Sequence, residues 1–197
     1  MGKNVRAFII CVLVFVLSSV AGAETEFEYE DMFPDVQVQV ALTDEHAEYL
    51  GLPVGTEGFR FSDIQAEYVL FDVYSLYCSP CQKDAPALNA MFEKIERLGL
   101  AGRLKFVGIA AGNTEREVAF WRKRFDVRFP LIQDEDYDLH RALGEVGTPT
   151  LFLVRMTGPD QLDIVLAHVG AFKNTDTFFA TLLAQIGHDV AQLNLNR

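Results

Sequence analysis

Two cysteines separated by two residues, Cys78 and Cys81 in the stretch LYCSPCQKDAP, can be a redox couple, half of a zinc site or a structural staple. Each needs different company. A zinc site takes about four ligands, and the histidines that could complete it, His46, His140, His168 and His188, lie far apart and in no paired metal spacing. His140, on a short predicted helix ahead of Gly147 and Pro149, could approach the cysteines, but it reads first as an exposed structural histidine. A staple for a starved core would use more cysteines at wider spacing, whereas this chain is 50% hydrophobic and its third cysteine, Cys11, sits in an apolar amino-terminal run. A redox couple is the reading these facts favour.

The chemistry then depends on what positions the pair. YVLFDVYSL, Tyr68 to Leu76, is a nearly continuous apolar run of strand length, rich in β-branched and aromatic residues, and reads as a central strand buried on both faces. Past the cysteines, Leu88, Met91, Phe92, Ile95 and Leu98 recur at helical spacing up to a stop at Gly99. Cys78 therefore falls where a buried strand gives way to a helix amino terminus. Free N–H groups and the positive end of the helix dipole stabilise a thiolate there, so alkylation of Cys78 is expected well below the pH a free thiol needs. Cys81, about one turn further in, can attack a mixed disulfide formed by Cys78. Pro80 suits the first turn because it has no N–H to lose, while Pro86 is expected to kink the helix. Asp72 interrupts the apolar strand six residues before Cys78. Either it reaches solvent at a strand turn, or it is buried near the thiols with a raised pKa and takes the proton from Cys81.

The remaining elements form an α/β order with a mixed sheet. VQVQVAL, Val36 to Leu42, alternates as a half-buried strand, and EHAEYLGL offers a helical turn stopped by Gly51 and Pro53. A second strand is predicted at Leu104 to Ala110. Thr114 and Glu117 form a capping-box pattern before a helix with Val118, Trp121 and Phe125 on its core face. FPLIQD is a short extended piece and DYDLHRAL a short helix. TPTLFLVR and LDIVLAHVG are predicted to form a hairpin across MTGPDQ, followed by a helix from about Asn174 to Ile186.

Lys3 and Arg6, the apolar run Ala7 to Leu17 and AGA at Ala21 to Ala23 read as a secretory signal over residues 1–23, the alternative being an uncleaved anchor. Residues 24–35 are expected to be an extended lead-in and 36–190 one domain. Loss of Lys3 and Arg6 takes the net charge from −11 to −13. A surface so acidic argues against nucleic acid or anionic lipid as a partner.

VLFDVYSLYCSPC resembles the active-site strand and motif of the thioredoxin superfamily, and GTPT, Gly147 to Thr150, resembles its cis-proline loop. The likeness covers nearly all of the chain after the signal. An inserted strand-helix region between roughly Ala111 and Gln133 and a CxxCxxxxP continuation are similar to the exported branch that includes TlpA and ResA. The resemblance implies a thioredoxin-like fold, with a central mixed β-sheet flanked by helices. It implies an attacking Cys78, a resolving Cys81, proton transfer by Asp72 and Asp84, and a Thr148–Pro149 loop whose backbone pairs with a substrate strand. Tyr77, Ser79 and Pro80 would complete the substrate-facing surface, with Tyr77 standing where the family usually has Trp. The implied activity is thiol-disulfide exchange on exported proteins such as apocytochromes c, with a membrane thiol carrier as electron donor and no cofactor beyond the cysteines. Rival readings are a disulfide oxidant or isomerase, a peroxiredoxin and a non-catalytic binding module. A peroxiredoxin would need Pro and Thr where this chain has Phe71 and Ser75.

Overall fold

The architecture follows from one strand that has to be covered on both sides. In a computed structural model that describes residues 32–40, 42–158 and 161–188, β3 (Tyr68–Tyr74) is buried at all seven positions. It pairs in parallel with β4 (Leu104–Ala111) and antiparallel with β6 (Thr150–Gly158). Outside these lie β5 (Leu131–Asp134), parallel to β4, and β7 (Gln161–Val169), the hairpin partner of β6, giving the order β5-β4-β3-β6-β7. Alternation along β3 divides its side chains between two cores. Leu70 and Tyr74 face α2 (Ser79–Arg97), α3 (Glu115–Phe125) and α5 (Thr175–Gln185), which contribute Leu88, Trp121 and Leu182. Val69, Phe71 and Val73 face α1 (Asp44–Leu50) and α4 (Asp138–Ala142).

The capping box at Thr114 and Glu117 forms as its spacing predicts, and Val118 and Trp121 are buried. The predicted strand Val36–Leu42 is shorter than expected: β1 (Gln37–Gln39) pairs only with β2 (Gly58–Arg60), in a separate two-stranded sheet. The lead-in contributes to the core, because Phe33 stacks on Phe71 with ring centroids 4.4 Å apart and its N–H donates to Leu162 O. α2 continues through Pro86 to Arg97 as one helix. The expected inserted region supplies α3 and the start of β5, which pairs with β4 as an edge strand of the main sheet. The predicted signal lies outside the described residues. No helix among those residues is long and apolar enough to cross a membrane.

The β4–α3 turn is set by Gly112, whose φ of 65° falls in the left-handed region. A Cβ there would lie 2.1 Å from Tyr137 Oη. Gly112→Ala is therefore expected to cost about 2–3 kcal/mol, from strained backbone and a displaced tyrosine together, read as a lower urea midpoint with little change in slope.

Candidate active site

β3 ends at Tyr74, and the chain turns through Ser75, Leu76 and Tyr77 before α2 begins. Cys78 N–H donates to Ser75 O over 3.1 Å, closing the turn. Cys78 is the N-cap of α2, and its sulfur accepts the Cys81 N–H at 3.1 Å. Ser79 and Pro80 form the exposed start of the helix. The two sulfurs are bonded, at 2.07 Å with Cα atoms 5.3 Å apart. The disulfide thus sits on the positive end of a 19-residue helix, where charge developing on Cys78 during exchange meets free N–H groups and the dipole.

Two side chains outside the motif hold this turn. Asn113, almost fully buried in the β4–α3 turn, accepts Leu76 N–H at 2.8 Å through Oδ1. Gln82 Nε2 donates to Leu76 O at 2.7 Å. Tyr77 is 74% exposed, and its hydroxyl donates to Glu117 Oε1. That hydrogen bond, and then the carboxylate's charge, push the phenol pKa up; the same contact and the Thr114 donors hold Glu117 below the usual carboxylate range.

Opposite the disulfide, the Thr148–Pro149 peptide is cis. Thr148 O lies 3.4 Å from Cys78 Sγ, a contact rather than a hydrogen bond, since a disulfide sulfur has no proton to donate. The loop is fixed from behind. Thr150 Oγ1 donates to Gly147 O at 2.6 Å, Gly170 N–H donates to Pro149 O at 2.8 Å, and His140 Nε2 donates to Val146 O at 2.7 Å. Thr148 precedes the β6 ladder, whose register begins at Thr150.

Asp72 lies on the face of β3 that carries Leu70 and Tyr74, the face covered by α2. It is 2% exposed, and Oδ1 has no hydrogen-bond partner. Burial pushes its pKa up to about 7, and the Asp84 carboxylate on α2 adds to the shift. Asp84 itself accepts Phe172 N–H at 3.1 Å. Of the two sequence readings of Asp72, burial is the one the structure bears out.

Cys78, Cys81, Thr148 and Pro149 therefore meet at one end of the sheet. Asp72 is buried on the α2 side of β3 with Asp84 near enough to act on it, and Tyr77, Ser79 and Pro80 lie on the outer surface. His140 braces the loop before the cis-proline. His46 instead contacts Arg128 O, and His168 stacks on Phe172. The described residues contain no group of three His, Cys, Asp or Glu able to hold a metal ion. Asn113, Gln82 and the second role of Glu117 escape sequence reasoning because each contact joins separate elements at no characteristic spacing.

A buried, unpaired carboxyl has a definite pH signature. Below pH about 4, folded and unfolded chains both hold the Asp72 proton. Between about 4 and about 7 the unfolded chain releases it while the folded chain keeps it, so folding loses about 1.4 kcal/mol per pH unit from this group. Above about 7 the loss levels off. The stability difference between Asp72→Asn and the parent protein should therefore move in favour of the variant from pH 4 to 7, by a few kcal/mol in all, as read by urea unfolding of the oxidised proteins.

Comparison with known proteins agrees with this geometry. A thiol-disulfide oxidoreductase ResA from Bacillus thuringiensis subsp. konkukian is 24% identical over 99 residues, 50% of this chain and 55% of that protein, so the chain matches only about half the length of this relative. ResA from Bacillus anthracis is 22% identical over 158 residues, 80% of this chain and 86% of that protein. Among solved structures, a thiol:disulfide interchange protein of the thioredoxin family from Chlorobium tepidum TLS superposes with a TM-score of 0.55 at 17% identity, covering 77% of this chain and 93% of that one. The fold is thioredoxin-like. The AhpC/TSA family model matches residues 30–159, and the chain belongs to the AhpC/TSA family.

Proposed function

We propose that this protein is an exported thiol-disulfide oxidoreductase that reduces cysteine pairs in exported proteins. The observation that carries the reading is the Cys78–Cys81 disulfide at the amino terminus of α2, with Thr148 O 3.4 Å from the outer sulfur and the protonatable Asp72 buried on the α2 side of the sheet. The relatives named ResA support the same chemistry.

In the reduced protein, Cys78 thiolate attacks one sulfur of a substrate disulfide. A Cys78–substrate bond forms, the substrate S–S bond breaks, and the departing thiolate takes up a proton. Cys81 then gives its proton to Asp72 and attacks Cys78 Sγ. The Cys78–Cys81 bond forms, the mixed disulfide breaks, and the second substrate thiolate leaves and is protonated. The substrate gains two electrons and the protein loses two, which a membrane thiol carrier returns. A pKa of about 7 lets Asp72 accept and release protons near neutral pH, with Asp84 as its neighbour in the exchange with solvent. The cysteine pair is itself the redox centre and requires no metal or organic cofactor. The amino-terminal signal directs export, and apocytochromes c awaiting haem are the favoured substrates.

Cys78→Ser should abolish disulfide reduction in an insulin turbidity assay, whereas Cys81→Ser should accumulate a mixed disulfide on Cys78 that survives non-reducing electrophoresis. Equilibration of the pair with defined thiol buffers should give a potential near that of thioredoxin, about −270 mV. A value near −120 mV would mark an oxidant or isomerase instead. Normal c-type cytochrome levels in a deletion strain would remove that substrate assignment.

A further inference from the structure

Two large aromatic side chains stand exposed beside the segment that leads into the disulfide. Tyr77 is 74% exposed and Tyr137 47%. Single exposed apolar residues need no explanation, but Tyr77 is bonded to a carboxylate and Tyr137 packs on the turn next to it. Tyr77 immediately precedes Cys78, and its hydroxyl is bonded to Glu117. Tyr137, at a φ of 60°, lays its ring over Gly112, beside the Asn113 that holds Leu76. Its phenol is close enough to Tyr77 to contribute to that residue's raised pKa.

The chemistry of this shelf is selective. Aromatic faces attract cations through their quadrupole. Glu117 accepts one hydrogen bond at Oε1, from Tyr77, and two at Oε2, from Thr114, so Oε1 keeps a free lone pair for another donor. The charges around it lean the same way. Glu115 and Glu117 open α3 and Asp136 and Asp138 flank Tyr137, against Arg116 and an Arg141 already paired with Asp138, while the basic Arg122, Lys123 and Arg124 lie at the far end of α3. Thr148 O lies against Cys78 Sγ and Tyr77 adjoins Cys78 in the chain. A polypeptide whose cysteine reached Cys78 along Thr148 would carry a neighbouring side chain towards Tyr77.

We infer that Tyr77, Tyr137 and Glu117 form a specificity surface for a lysine or arginine side chain next to the reacting cysteine of the substrate polypeptide. The inference rests on the oxidoreductase reading and narrows its substrates to cysteine pairs with a basic flank.

The test is the rate of exchange between the reduced protein and three disulfide peptides that differ only in a Lys, Gln or Glu beside one cysteine. The Lys peptide should react about tenfold faster than the Glu peptide at low salt, the gap closing in about 0.5 M NaCl. Glu117→Gln preserves the capping box, which accepts Gln as well as Glu, and should cut the Lys-to-Glu ratio severalfold. Glu48→Gln, remote on α1, changes the net charge equally and should leave the ratio alone. Equal rates for the three peptides would overturn the inference, as would a ratio that responds equally to both variants, since the whole-molecule charge would then be the cause. Failure of all three peptides to react would count instead against the oxidoreductase reading.

Discussion

The structure depends on β3 being covered on both faces. Seven consecutive residues of this strand are buried, so neither side can face water without exposing several large apolar side chains at roughly 1.5–3 kcal/mol each. One helical layer cannot meet that demand. α2, α3 and α5 cover one side, and α1, α4 and the small β1–β2 sheet cover the other. With both layers in place, the chain leaves the carboxyl end of β3 through a short turn into α2. The disulfide takes its position from that exit.

The site is accordingly an assembly of element ends. The turn after β3 supplies Tyr77 and Cys78, the turn after β4 supplies Asn113, the first turn of α3 supplies Glu117, and the loop before β6 supplies Thr148 and Pro149. Parallel pairing of β3 with β4 brings two of these turns to the same edge of the sheet. Antiparallel β6 brings the start of its strand there as well, because Thr150 pairs with Val73. Hydrogen bonds across the turns, from Leu76 N–H to Asn113 and from Tyr77 to Glu117, then limit how far the segment before Cys78 can move.

The central strand, the helix after the cysteines and the hairpin were legible in the sequence because each writes a local pattern: a long β-branched apolar run, a helical recurrence from Leu88 to Leu98, and two strands around Gly158 and Pro159. The capping box at Thr114 was legible for the same reason, since both partners lie within one turn. Phe33 was not, because an aromatic in an acidic, aperiodic stretch gives no sign of which distant ring it will stack on. The β2 strand and the 3₁₀ turn Phe61–Asp63 were missed because three residues are too few to show a period. Asn113 is the instructive case at the site. An asparagine after a glycine reads as turn chemistry, and only the parallel register of β3 and β4 places its amide against Leu76.

Asp72 shows how the two levels meet. Its β4 partner in the sheet is Gly108 and its β6 partner is Leu151, so neither neighbouring strand offers a cation or a hydrogen-bonding side chain at that row. The charged group that acts on it is another carboxylate, Asp84. A fold selected only for stability would place a leucine here, completing an already apolar face. An unpaired acid works against folding at the pH values where it would ionise in water, and Asp84 deepens that penalty. What the arrangement provides is a carboxyl that still carries a proton at pH values where an ordinary aspartate has lost it, on the side of the sheet covered by the helix that bears both cysteines. A partner cation would have stabilised the fold, but it would also have kept Asp72 ionised and removed its capacity to hold and release a proton near neutrality.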